Sequence, residues 1–247
     1  MGSARHTPSP MCPTARQPAL TAAAIPETAS AQSAAAPLMR RLRAHTAPVH
    51  AATEALPLMR RVLTAHPTAA GYRGYLAALH RVYLDVEPAL YAVVPASLLD
   101  ALGVAPKLPA LHQDLLALAD AAPGAGPPLP TRGDGTAMRR LLDHPDRPRI
   151  ATALGGLYVL EGATLGGQVI ARHLRAHWPA GQALPTGFLE RRRSHPGGGW
   201  RGFGAALERW AARHPGSDHA ILDGALGVFS LMHAALATAE PPEPDAS

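Results

Sequence analysis

The stretch GGLYVLEGATLGGQVIARHL, residues 155–174, decides how this chain is read. Its apolar residues, Leu157, Val159, Leu160, Leu165, Val169 and Ile170, belong to a helix interior, yet it carries five glycines: Gly155, Gly156, Gly162, Gly166 and Gly167. Each glycine inside a helix costs about 1 kcal/mol against alanine, because glycine loses the most backbone freedom on folding. At 100° per residue, Gly155, Gly162 and Gly166 fall within about 40° of one another. Gly156, Ala163 and Gly167 form the adjacent stripe. One broad face of the helix is therefore nearly bare, so that a second helix or a flat, bulky ligand can lie directly on its backbone. Packing through small residues could use alanine. The width of the face, and the bend that glycines at 162, 166 and 167 invite, favour a ligand.

Outward from this segment the chain is helical. Alanine and leucine dominate, aromatics are only 4% of the 247 residues, and β-branched runs are short, which disfavours sheets. With 47% hydrophobic residues the length suits one domain with a sizeable core. Residues 1–36 are rich in Ala, Pro, Ser and Thr without apolar period and read as a disordered tail. They resemble a signal or transit peptide only vaguely, since Pro26 and Glu27 interrupt the apolar stretch. A single all-α domain is expected over 37–240, followed by a disordered tail, 241–247. Within it MRRLRAH reads as a short first helix, and a second restarts at TAPVHAATEAL, with Thr46 as N-cap and Pro48 in the first turn. Thr68 caps a long segment that Pro88 should kink. Residues 109–121 are amphipathic. Pro/Gly loops cover 122–135 and 179–199, and two helices close the chain, the last capped by Ser217.

The net charge is +5, almost all of it from arginine, and Lys107 is the only lysine. That excess suits an anionic ligand only weakly. The run Arg191-Arg192-Arg193 lacks the interleaved aromatics of a nucleic-acid platform and reads as a solvated loop, so no nucleic-acid partner is expected. The one cysteine, Cys12, lies in the tail and can form neither a disulfide framework nor a CxxC site. No run of 18 apolar residues occurs, so no membrane span is expected, and a cytoplasmic location follows.

A ligand on the glycine face needs a partner opposite. LRAHTAPVHAATE, residues 42–54, supplies His50, with Glu54 four residues on and Arg43 seven before. A lone histidine is more often a surface or satisfied core residue. Here Glu54, one turn away, could orient and polarise the imidazole, and Arg43 could reach an anionic edge of the ligand.

Residues 42–54 resemble the proximal-helix motif of heme oxygenases, and LYVLEGATLGGQVI, residues 157–170, resembles their distal helix in the bacterial biliverdin-producing branch that accompanies bacteriophytochromes. The resemblance implies a multi-helical domain with heme between a proximal and a kinked distal helix. It implies that His50 is the axial ligand to iron and that Gly162 and Gly166 pass over the opposite heme face. Arg43 matches a propionate contact and Arg209, more loosely, a second. Phe203 and Phe229 fall near pocket walls, and Tyr158 near the heme edge or its water network. Many members carry an aspartate after the first distal glycine to hold proton-delivering water; here that residue is Ala163. Protons must then come through other waters or side chains.

On this resemblance heme is both cofactor and substrate, cleaved with dioxygen to biliverdin, carbon monoxide and ferrous iron. A neutral imidazole leaves the sixth iron position open. Backbone above the iron gives bound oxygen room to lie along the ring, and the helix has no histidine or arginine between Gly155 and Ile170 that would promote O–O cleavage. Electrons come from an external donor, a ferredoxin or a small reductant, because the chain has no flavin or iron–sulfur motif. A bacteriophytochrome is the implied acceptor of biliverdin. Ala163 leaves open a noncatalytic heme-binding or trafficking protein on the same fold. A thiaminase-like enzyme would need a core cysteine, and a ferritin-like di-iron site a Glu-x-x-His spacing that does not occur. His173 and His177 share a helix face but make at most half a zinc site.

Overall fold

Helix α1 (Leu38–Glu54) begins after Pro37 with no side-chain cap from its own sequence. Its first amides are met from the far end of the chain. Glu208 accepts from Leu38 N at 3.1 Å and from Met39 N at 2.8 Å, which also places a carboxylate at the positive end of the helix dipole. The computed structural model describes residues 36–121, 135–190 and 199–239, and for 120 and 121 the backbone only. The tail with Cys12, most of the 122–135 loop and the Arg191–Arg193 run lie outside the described residues.

The expected break within this first segment is not there. α1 runs through Pro48 as one helix, and Thr46 is not an N-cap. Its hydroxyl donates back one turn to the Leu42 carbonyl at 2.9 Å, and Thr53 does the same to Val49 at 2.7 Å. Pro48 loses only the bond its missing N–H would have made. Tertiary anchors outweigh that loss: Leu38 and Leu42 are buried, and Arg41 is ion-paired with Asp218. Arg43 and His50 therefore stand two turns apart on one face of a continuous helix.

The short α2 (Pro57–Val62) leads to α3 (Ala69–Val93), whose first turn is capped as expected, Thr68 Oγ1 accepting from Gly71 N at 3.1 Å. Pro88 lies inside α3 without ending it. α4 (Ala96–Leu102) turns away by 112° and stops at Gly103, which takes a left-handed φ of 61°. α5 (Leu108–Ala121) follows, then α6 (Thr136–Leu142), which the Pro/Gly reading of 122–135 gave no sign of. α7 (Arg149–His177) is the glycine-bearing helix, unbroken by its glycines. α8 (Trp200–Ala212) and α9 (Asp218–Thr238) complete the described fold. Ser217 does not cap α9 with its side chain: it sits at φ −76°, ψ −14°, already helical, and its Oγ is buried without a partner.

The most extensive interface is α7 against α9, with α9 also lying along α1. By length and composition α9 could cross a membrane. In the fold its Ile221, Ala225 and Val228 are buried in the core. The crossing with α7 is backbone on backbone. A Cβ on Gly155 would lie 2.0 Å from the Ile221 carbonyl oxygen, and one on Gly224 2.0 Å from that of Thr152.

Two outcomes follow for the apo-protein. Gly155→Ala should destabilise it by about 3 kcal/mol, since neither backbone can yield, and lower the melting temperature by about 6–12 °C in a scanning calorimeter. The second concerns His80, buried on α3 with Nε2 3.3 Å from His112 Nδ1 on α5. Burial, then the neighbouring His112, lowers its pKa below 6.5. The unfolded chain then binds a proton more readily than the folded one, so stability is lost as pH falls below the ordinary histidine value. Melting temperature should drop between about pH 7 and pH 5, and drop less in His80→Phe.

Candidate functional site

A groove of about 590 Å³ opens between α1 and the middle of α7. One wall is the Arg43, Thr46, Ala47, His50 and Ala51 face of α1. The other is Tyr158, Val159, Gly162, Ala163, Leu165 and Gly166 of α7. Phe229 and Met232 of α9 and Trp200 of α8 close it. The walls are largely apolar, and the polar groups are few and placed, as in sites that bind flat organic ligands.

His50 lies at the groove with its side chain 55% exposed, and Nδ1 is 3.5 Å from Glu54 Oε2. With Nδ1 turned to a carboxylate, Nε2 is the nitrogen available to a metal ion. Phe229 packs against the imidazole at 5.5 Å between ring centres, limiting its rotation. At one end Thr46, whose hydroxyl donates to the Leu42 carbonyl at 2.9 Å, lines the groove beside Tyr158. Burial raises the Tyr158 pKa, while Thr46 and the positive charge of Arg43 oppose the rise. The phenol is thus a neutral donor at physiological pH. Arg43 is exposed and has no ion-pair partner among the described residues.

The bare face of α7 divides along its length. At Gly166 an added Cβ would meet nothing within 4 Å, and at Gly162 it would meet the Trp200 ring at 3.4 Å, ordinary contact. These two form an open floor. The other three glycines do not face a ligand, and here the expectation is corrected. Gly155 meets the α9 backbone, Gly156 the Leu90 and Val228 side chains, and Gly167 the Leu189 backbone.

The residues named from sequence fall into two groups. His50, Arg43, Tyr158, Gly162, Ala163, Gly166 and Phe229 all line the groove, and Glu54 reaches it through His50. Arg209 is exposed on α8, well along from Trp200, and is not part of the lining. Phe203 is fully buried behind Trp200, ring centres 5.8 Å apart, so it backs the wall without forming it. His173 and His177 face carbonyls, Thr64 O at 2.8 Å and His173 O at 2.9 Å. Among the described residues no group of three or more His, Cys, Asp or Glu could hold a metal ion.

Trp200, Thr46 and Met232 were missed. Trp200 follows a glycine run and has no periodic neighbours to mark it. Thr46 carried a helix-start signal that hid its inward role, and Met232 is one apolar residue among many on α9.

The heme oxygenase family model matches residues 36–238. A curated heme oxygenase of Xanthomonas campestris pv. campestris (strain 8004) is 35% identical over 131 residues, which cover 53% of this chain and 67% of that protein. Among solved structures, heme oxygenase-1 from the cyanobacterium Synechocystis sp. PCC6803 in complex with heme superposes with a TM-score of 0.59 at 17% identity, covering 81% of this chain and 91% of that one. The heme oxygenase of Leptospira interrogans gives 0.58 at 21% identity, covering 82% and 99%. Both likenesses are of fold.

The open floor has a signature without any ligand. Gly166→Ala should raise apo stability by about 0.4–1 kcal/mol, because the methyl meets nothing and the unfolded chain loses freedom. Gly162→Ala, against Trp200, should be neutral to slightly stabilising. A loss of more than about 1 kcal/mol in either variant by denaturant titration, the least that overpacking typically costs, would show that the floor is packed.

Proposed function

The chain belongs to the heme oxygenase family, and from that premise we propose that heme lies in the groove between α1 and α7, with its iron on His50 and its other face over Gly162 and Gly166. The protein is a heme oxygenase and heme is its substrate. As an enzyme it is not the noncatalytic carrier that Ala163 left open. One observation supports this seat above the rest: a single imidazole on one wall of the groove and a stretch of helix free of side chains on the other.

The lining fits the substrate. Phe229, Met232, Val159 and Leu165 offer apolar surface to the macrocycle, and Arg43 is an exposed cation at the rim where a propionate would emerge. An exposed pair of that kind contributes about 0–1 kcal/mol, so Arg43 orients the ring more than it holds it. Arg209 has no place in this seat.

Heme supplies the iron that reduces dioxygen and the ring carbon that is oxidised. The protein supplies orientation, room and protons. Glu54, 3.5 Å from His50 Nδ1, would orient the ring and leave Nε2 for the iron. Glycine at 162 and 166 would leave room beside a heme held by His50, and the bare backbone there would limit which part of the substrate is open to attack. Ala163 offers no proton, and the Tyr158 hydroxyl, kept protonated by burial, is the groove's side-chain donor on α7. Proton delivery therefore runs through Tyr158 and water.

Electrons are taken from an external donor, a ferredoxin or a small reductant. The LEGATLGG motif supports a place in the bacteriophytochrome-associated branch, with biliverdin passed to such an acceptor in the cytoplasm, and neither a membrane nor a nucleic acid takes part. The decisive variant is His50→Ala. It should fold, because the side chain is exposed and not a core plug, yet lose the native ferric Soret spectrum and biliverdin formation, with added imidazole restoring the axial bond. An unchanged Soret band in His50→Ala would remove His50 from the iron.

A further inference from the structure

Lys107 is the only lysine in the chain and is 4% exposed. Burying an ammonium group is costly unless it is fully engaged, so its contacts indicate what the position does. Its Nζ donates to the Leu160 carbonyl at 2.8 Å and to Glu161 Oε1 at 2.7 Å. Both acceptors belong to the two residues of α7 immediately before Gly162. The backbone that carries Lys107 is itself fixed. Glu87 of α3 accepts from Lys107 N at 2.7 Å and from Leu108 N at 2.9 Å, at the start of α5.

We propose that Lys107 is a positioning residue for the reaction, setting how far the Gly162–Gly166 floor of α7 stands into the groove. This rests on the heme seat proposed above. The need arises from the glycines. Between Gly162 and Gly167 the helix has few side chains with which to anchor itself, and an open groove on one side. Leu160 lies 200° around the helix from Gly162 at 100° per residue, so Lys107 meets α7 on the side away from the groove. Its ammonium adds a second donor to a carbonyl already serving the helix. Thr164 Oγ1 adds another to the next carbonyl, that of Glu161, at 2.6 Å. Side-chain donors on successive carbonyls loosen and bend a helix. Glu87, Lys107, the Leu160 carbonyl and the Glu161 carboxylate thus form one buried strut from α3 to the distal floor. The height of that floor decides which edge of the substrate the reacting oxygen can reach.

The test uses the full-length protein and the double variant Lys107→Met/Glu161→Leu, which exchanges the buried pair for apolar side chains of similar volume. Such an exchange is often neutral or stabilising, so the variant should fold; the single variant Lys107→Met, which takes the ammonium from beside the buried Glu161 carboxylate, should be less stable. Amide hydrogen exchange of the apo-protein, read by mass spectrometry, should quicken about tenfold over 160–167 in the double variant and stay unchanged in α9. With hemin and a reductant, the ratio of biliverdin isomers should shift from the wild-type value. Asp114→Asn serves as a structural control. It disturbs the anchoring of Gly187 and Phe188 (Asp114 accepts from their amides at 3.1 and 2.8 Å), and should leave the isomer ratio alone. Wild-type exchange over 160–167, or a wild-type isomer ratio in the double variant, would overturn the proposal. If the wild-type protein forms no biliverdin at all, the heme seat fails, and the exchange result still decides whether Lys107 holds α7.

Discussion

The contact on which the rest depends is the crossing of α7 and α9, where Gly155 and Gly224 let two backbones meet with no side chain between them. Alanine on either side would place a methyl 2.0 Å from a carbonyl oxygen. Because the helices touch here, the N-terminal half of α7 is fixed in the core, while Ile170, Ala171 and Leu174 bury its C-terminal half beyond the bare turn at Gly162–Gly166. The same residue type then serves opposite ends. Glycine closes a gap at 155 and keeps one open at 162 and 166. The groove exists because α7 is packed on both sides of a short stretch, around Gly162 and Gly166, that carries no side chains.

Long-range carboxylates do much of the alignment that helix caps do elsewhere. Glu208 terminates α1, Glu87 terminates α5, and Asp114 gathers the amides of Gly187 and Phe188. Each sits on a different helix from the amides it serves. Burial raises the Asp114 pKa, and the two amide bonds pull it back. An unpaired buried polar group is costly, so each of these contacts specifies one arrangement of helices more sharply than apolar packing would.

Most of the helices could be read from the sequence, and so could one wall of the site. The His50–Glu54 spacing and the Gly162–Gly166 face are properties of a single helix, and 3.6-residue geometry carries them intact. What failed were the points where a distant residue overrides a local signal. Thr46 and Pro48 look like a helix start, but Glu208 and the buried Leu38 and Leu42 extend the helix past them. A helical wheel gives direction and not what lies opposite at each level, so Gly155 and Gly166 looked alike. Arg209 shares a helix with Trp200, but only the first turn of α8 reaches the groove. The polar strut under Gly162 was invisible because nothing in the sequence ties Glu87 or Lys107 to Glu161, which lies inside the distal motif.

The capping of α1 has a consequence for biosynthesis. Its amides wait for Glu208, its Arg41 for Asp218, and its Thr53 hydroxyl lies 3.1 Å from the His233 ring. Phe229, which steadies His50, also comes late. A nascent chain carries His50, the proposed iron ligand, out of the ribosome before the elements that pack against it. Contacts of such high sequence separation close late in folding. On the seat proposed for heme, the groove is complete only once α8 and α9 have joined α1, so a chain still lacking them is kept from trapping a reactive porphyrin that it could not turn over.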